Sequence, residues 1–291
     1  MIYIYFYLVQ KLNCIDIILT AFQYNIMDLI KIKNLEYFYH KNEHVLNEIN
    51  FNLIGNEKNI IIGSNGSGKT TLLKCILGIL KTENMIEIEG EDVDKLSQYT
   101  HLSTNLEDAL HIPGDLKVNE YIKYHLNLKG IDPESGIKLL EYFNLLGIIK
   151  KKISKLSSGQ KRMLNNIVSL ASDSRITVMD EPVSDVDPGR IKLLIDLINS
   201  KNQAFIITSH DLSLIKRIER STLSIMINGK LYGKIAPGKN IFSMYISHVK
   251  PHNESIKIIN DGKSSYLTSE STENCRSIEE LDDLLYLYEV E

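Results

Sequence analysis

The chain has 291 residues, 43% of them hydrophobic, enough for one large domain or a domain with an appendage. Its 33 basic and 37 acidic residues leave a net charge of −4, which argues against a polyanionic partner, so no nucleic acid is expected. There is no run of about 18 apolar residues, so no membrane-spanning helix is predicted.

Cys14, Cys75 and Cys275 are widely spaced, without metal-type spacing, and read as reduced thiols. The start, MIYIYFYLVQKLNCIDIILTAFQYNI, is apolar but interrupted by Gln10, Lys11, Asn13 and Asp16, and it lacks the basic leading region of a signal peptide. The stretch MDLIKIKNLEYFY, from Met27, reads like a fresh start. Residues 1–26 are therefore expected to be an N-terminal extension arising by upstream mistranslation. A surface-lying apolar helix and an extra strand are the competing readings.

Residues 29–54 alternate in short apolar runs, LIKIKNL and VLNEINFNL, and predict antiparallel strands. NIIIG at 59–63 is continuously apolar and predicts a strand buried on both faces. GKTTLLKCILGIL at 68–80 has helical spacing, with Cys75 as a packing residue, and MIEIEG at 85–90 predicts a further strand and turn. Residues 117–148 form a helical block, broken by GIDPESG. The basic run Lys150–Lys155 reads as a solvated loop. LSSGQKRMLNNIVSLAS predicts a helix and RITVMDEP a second buried strand. DPGRIKLLIDLINS predicts a helix capped by Asp187 with Pro188 at its first position. QAFIITSH is a third buried strand, and STLSIMINGKLYGKI a hairpin. Beyond residue 236, GKSSYLTSESTENCRS reads as a polar loop and IEELDDLLYLYEV as a short amphipathic helix, so 237–291 is expected to be a small C-terminal extension. Strands alternating with helices predict an α/β fold with a mostly parallel sheet.

GSNGSGKTT, Gly63–Thr71, fits the G-x-x-x-x-G-K-[ST] pattern between a buried strand and a helix. Gly63, Gly66 and Gly68 let the backbone N–H groups of Ser64, Asn65, Ser67 and their neighbours turn toward phosphates, and the helix adds its positive end. Lys69 then reaches the terminal phosphates, and the Thr70 hydroxyl is offered to Mg²⁺. Asp180 closes an apolar run and so sits at the carboxyl end of a buried strand, where it would help hold Mg²⁺. Glu181 follows it and could take a proton from an attacking water. His210 ends the third strand on the same sheet edge.

Taken together, residues 28–235 resemble the nucleotide-binding subunit of ABC (ATP-binding cassette) transporters, with the family's motifs in the family's order. GSNGSGKTT resembles the Walker A motif, and LSSGQ (Leu156, Ser157, Ser158, Gly159, Gln160) the signature usually written LSGGQ. ITVMDEP resembles Walker B with the catalytic glutamate, and SDVDP, ending at Asp187 and Pro188, the D-loop. His210 matches the switch histidine and Tyr39 the aromatic that stacks on adenine. The resemblance implies a P-loop NTPase of RecA-like type, with an antiparallel β subdomain and an inserted α-helical subdomain at about 105–172, all within residues 27–236. It further implies ATP and Mg²⁺, a homodimer or heterodimer of such chains, and separate integral membrane permease subunits. Those permeases would hold the chain peripherally on the cytoplasmic, inner face of the cell membrane. In this family two chains meet head to tail, so Ser157 and Gly159 of one would contact the phosphate held by Lys69 of the other.

Two departures stand out. Ser158 replaces the first signature glycine, and the segment THLSTNLED offers Thr104 or Asn105 where the family places a glutamine. Asn105 is expected to serve there, with a shorter reach toward Mg²⁺. The tail SIEELDDLLYLYEV is similar to that of drug-export-type ATP-binding subunits and favours an exporter. The alternatives are a soluble ATPase of the same family acting on ribosomes or DNA, and a degenerate cassette that binds ATP without hydrolysing it.

Overall fold

Alternation of apolar and polar residues folds the first described segment into two long antiparallel strands, β1 (Asp28–Phe38) and β2 (His44–Ile54). In a computed structural model, residues 28–41, 43–96, 102–110, 114–211, 213–235, 245–247, 255–260, 263–268 and 276–277 are described. β4 (Ile86–Ile88) pairs antiparallel with β1, and β5 (Glu91–Asp92) with β4, giving a four-stranded antiparallel sheet in the order β2-β1-β4-β5.

The central sheet is six-stranded. It comprises β3 (Lys58–Ile62), β6 (Leu102–Thr104), β7 (Ile176–Asp180), β8 (Ala204–Ser209), β9 (Ser221–Ile227) and β10 (Lys230–Ile235). Their order is β10-β9-β3-β8-β7-β6, with every pair parallel except the β9–β10 hairpin. β3 is buried at all five positions because layers cover both faces of the sheet. Its side chains alternate between two cores: Ile60 and Ile62 join Leu164 and Ile167, whereas Ile61 joins Leu72 and Leu73. Each fully buried Ile contributes roughly 1.5–3 kcal/mol.

Helix α1 (Lys69–Ile76) follows β3, and Cys75 packs beneath it, fully buried, with its thiol pushed up to about 12 by burial foremost. After β6 comes a short helix, α2 (Glu107–Leu110). The helical block then holds α3 (Val118–Leu128) and α4 (Glu134–Tyr142), which pack through Tyr121, Leu126, Leu140 and Phe143 on α5 (Ser158–Ala171). The second glycine of GIDPESG, Gly136, is not a break but lies inside α4. A Cβ there would sit 2.5 Å from Ile122 Cγ2, so glycine is what lets α3 and α4 approach. α6 (Pro188–Ser200) begins as the sequence predicts, with Asp187 accepting from the Arg190 N–H and Pro188 in its first turn. α7 (Ser213–Arg217) links β8 to β9.

Past residue 236 the structure departs from the expected loop. β11 (Tyr245–Ser247), β12 (Ser255–Asn260), β13 (Lys263–Thr268) and β14 (Arg276–Ser277) form a third sheet, in the order β12-β13-β11-β14. KSSYLT reads as loop because lysine and serine outnumber its apolar residues, yet it pairs residue for residue with β12 and buries Leu267. The missed signal lies in the sequence, where the hairpin-favouring pair Asp-Gly stands between Asn260 and Lys263, which pair with each other. Ile246, Ile258 and Leu267 belong to the same apolar core as Ile235. Residues 1–26, Cys14, Cys275 and the tail IEELDDLLYLYEV lie outside the described residues.

Candidate functional site

β3, β7 and β8 run parallel with β8 in the middle, so the loop after β3 and the ends of β7 and β8 share one edge of the sheet. Gly66 and Gly68 take φ 81° and 107°, the left-handed region that favours glycine. Gly63 answers a different need: a Cβ there would lie 2.4 Å from the Met226 carbonyl oxygen of β9. Within the loop the Ser67 N–H donates to the Ser64 carbonyl at 3.2 Å, and Ser67 Oγ is buried without a hydrogen-bond partner.

Lys69 is 6% exposed and folds back over the loop, donating from Nζ to the Gly63 carbonyl at 2.7 Å and the Ser64 carbonyl at 3.1 Å. Burial holds its amine below the usual lysine range, while the charges of Glu181 and Asp180 pull the other way. Next along, Thr70 Oγ1 donates to Asp180 Oδ2 at 2.9 Å. Asp180 Oδ1 accepts from the Thr208 hydroxyl of β8, so both carboxylate oxygens are aimed by hydroxyl donors.

Glu181 stands at φ 45°, a sparsely populated backbone conformation for a residue with a Cβ. Its N–H donates to Thr208, to the carbonyl at 3.2 Å and to Oγ1 at 3.3 Å. Its carboxylate accepts from Ser184 Oγ at 3.4 Å and lies 2.8 Å from His210 Nδ1. The Glu181 side chain is 18% exposed and that of His210 57%, so the pair lies at the mouth of the edge. Lys69, Thr70, Asp180, Glu181 and His210 are thus joined in one constellation.

The signature turn is built differently. Ser157 caps α5: its hydroxyl accepts from the Gln160 N–H, and Gln160 Oε1 accepts from the Ser157 N–H, both at 3.2 Å. Ser157 and Ser158 are exposed. Gly159 has no room for a side chain, because a Cβ would sit 2.1 Å from the Asp185 carbonyl oxygen. Asp187 caps α6 and pairs with Arg190. Its slight burial works against ionisation, but hydrogen bonds from Arg190 and that residue's charge hold its carboxyl below the usual range. Tyr39 is 41% exposed at the end of β1, its hydroxyl 3.4 Å from Thr71 Oγ1.

The expected metal role of Asn105 does not match its surroundings. Its side chain is fully buried; Oδ1 accepts from the Asp180 N–H at 2.7 Å, and Nδ2 donates to Asn166 Oδ1 at 2.8 Å and the Asp180 carbonyl at 3.2 Å. The shorter amide is therefore committed to the backbone behind Asp180. Thr208, Asn166 and Arg162 are the contributors that sequence reasoning missed, while Ser184 was read only as the start of the D-loop. The hydroxyl at the end of FIITSH was a readable signal for Thr208; nothing in the helix spacing marked Asn166.

The residues present fit a nucleotide phosphate. The loop offers a glycine-rich turn in which Gly66 is open, a buried cation beside it and the start of α1 behind it. They also fit Mg²⁺, which characteristically takes one or two carboxylates and substrate phosphates. Asp180 supplies such a carboxylate, with the Thr70 hydroxyl beside it. Among the described residues no group of three or more His, Cys, Asp or Glu could hold a metal by itself.

Comparison with known proteins agrees with this geometry. The family model described as ABC transporter matches residues 46–184. The energy-coupling factor transporter ATP-binding protein EcfA of Malacoplasma penetrans (strain HF-2) is 31% identical over 203 residues, which cover 65% of this chain and 70% of that protein. The lipoprotein-releasing system ATP-binding protein LolD of Wigglesworthia glossinidia brevipalpis is 30% identical over 235 residues, covering 72% of this chain and 99% of LolD. Among solved structures, a putative cobalt transport ATP-binding protein superposes with a TM-score of 0.75 at 28% identity, covering 83% of this chain and 93% of that one.

Proposed function

The chain belongs to the ABC transporter family as an ATP-binding protein, and from that premise we propose how its site hydrolyses ATP and what it drives. It is an ATP-hydrolysing subunit that energises transport. The observation that carries the catalytic assignment is the short chain of contacts from Thr70 through Asp180 and Thr208 to Glu181 and His210.

In this reading the Gly63–Thr71 loop holds the phosphates of ATP, with the Lys69 amine turning from its two carbonyls to the terminal phosphates. Thr70 and Asp180 would hold Mg²⁺, which when bound neutralises charge on the phosphate oxygens. Glu181 accepts the proton of the attacking water as its oxygen bonds to the γ-phosphorus and the bond to the bridging oxygen breaks. His210, 2.8 Å from the Glu181 carboxylate, orients that base. The Tyr39 ring carries the adenine. Ser157–Gln160 at the start of α5, with Ser157 and Ser158 exposed, close over the γ-phosphate of a second copy or a related subunit, so ATP favours the paired state over the single chain.

The named relatives are ATP-binding parts of an energy-coupling factor transporter and of a lipoprotein-releasing system, and membrane subunits would supply this chain's pathway and cargo as well. Among the described residues no helix is long and apolar enough to cross a membrane. A docking surface is supported by Tyr124 and Leu128, one turn apart on α3 and each 51% exposed. The end of that helix is tied to β6 by Lys129 Nζ, which donates to the Leu102 carbonyl at 2.8 Å.

The catalytic reading is tested with purified chain. ATP turnover is expected with Mg²⁺ and is expected to vanish on chelation, returning when Mg²⁺ is restored. Nucleotide binding without turnover at saturating Mg²⁺ contradicts it.

A further inference from the structure

We infer that Asn105 and Asn166 form one amide clamp that positions Glu181 for hydrolysis; the inference rests on the ATPase reading above. Parallel pairing between β6 and β7 ends at Thr104 and Val178. Beyond it the Asn105 carboxamide does what a further strand residue would do, engaging both the N–H and the carbonyl of Asp180. Its Nδ2 also donates to Asn166 Oδ1, and Asn166 Nδ2 donates to the Pro182 carbonyl at 2.7 Å. Arg162, one turn earlier on α5, reaches the Asp180 carbonyl at 3.4 Å.

The residues on both sides of Glu181 are therefore gripped from behind, Asp180 by Asn105 and Arg162, Pro182 by Asn166. Glu181 itself stands in the left-handed region, a conformation that persists only where its surroundings over-determine it. Both asparagines are fully buried, so releasing either leaves a polar group without its partner in a dry site. Their side chains bond each other and the backbone of Asp180 and Pro182. They act through the Glu181 backbone and are positioning residues. Asn166 also lies on the helix that starts beside Ser157, so the clamp joins the signature turn's own helix to the catalytic carboxylate.

Steady-state kinetics of wild type, Asn105→Ala, Asn166→Ala and the double variant test this. Each single change is expected to lower kcat by about 10- to 100-fold, while the KM for ATP stays within about threefold. The double variant is expected to be no slower than the worse single one, because either deletion frees the same turn. Should the alanine variants not fold, Asn166→Ser keeps a small polar side chain too short to span Asn105 and Pro182 together, and the same fall in kcat is expected. Unchanged kcat with lowered thermal stability, additive losses in the double variant, or a raised KM with kcat intact overturns the clamp. Wild-type chain that fails to hydrolyse Mg²⁺–ATP overturns the ATPase reading instead.

Discussion

Glu181→Gln is expected to bind ATP as the wild type does and to turn it over about 10²–10⁴ times more slowly. Glutamine has the same shape, so it keeps an oxygen within reach of Ser184 Oγ and leaves the N–H bonds to Thr208 in place. What it lacks is a carboxylate able to take the proton of the attacking water. Nucleotide affinity is set by the Gly63–Thr71 loop, whose glycines and Lys69 are untouched. The variant should accumulate as an ATP-bound pair of chains, because hydrolysis is what would release them. Titration with ATP and single-turnover hydrolysis on the same preparation separate the two effects. Wild-type turnover in this variant removes Glu181 from the role of base and leaves His210 as the remaining candidate.

Gly159→Ala is expected to leave ATP binding by the separate chain unchanged and to lower hydrolysis by about 10²–10³-fold, the usual cost of losing preorganised donors at a reacting phosphate or acyl group. The added methyl would meet the Asp185 carbonyl oxygen at 2.1 Å and the carbonyl carbon at 3.1 Å. Both are backbone atoms, so the clash cannot be relieved by turning a side chain. The start of α5 and the Ser184–Pro188 segment must separate, and the Ser157–Gln160 turn loses its place. Ser158 stands where the family has a glycine, yet it is exposed and in ordinary helical conformation, and it fits without such a conflict. Gly159 is the position where glycine is required. Full hydrolytic activity in Gly159→Ala, measured beside unchanged ATP affinity, would show that the signature turn does not contribute to the phosphate site.

Much of this site was legible because its parts are local. The Gly63–Thr71 loop, the Asp180–Glu181 pair and His210 each follow a short apolar run. A parallel sheet puts the carboxyl ends of such runs on one edge. The order of the strands was not legible, and it decides the contacts. β8 lies between β3 and β7, and only that order sets Thr208 against both Asp180 and Glu181. Asn105 was found by position but misread in role, since sequence does not tell whether a short amide after a strand turns outward or inward. Asn166 sits in a helix whose spacing gives no sign of a partner 61 residues earlier in the chain. The third sheet was missed for a related reason. Its strands carry serine and lysine on both faces, and their burial depends on Leu267 and Ile258 meeting a core formed by much earlier residues.

The most direct measurement is gentle purification of the chain from its own cells, with identification of whatever accompanies it and a test of ATP hydrolysis on the complex. The account predicts an integral membrane protein with several spans in the eluate and Mg²⁺-dependent ATP turnover by the assembly. Recovery from the soluble fraction alone, or bound to ribosomes, with no membrane protein present, would contradict it and favour a soluble ATPase of the same family.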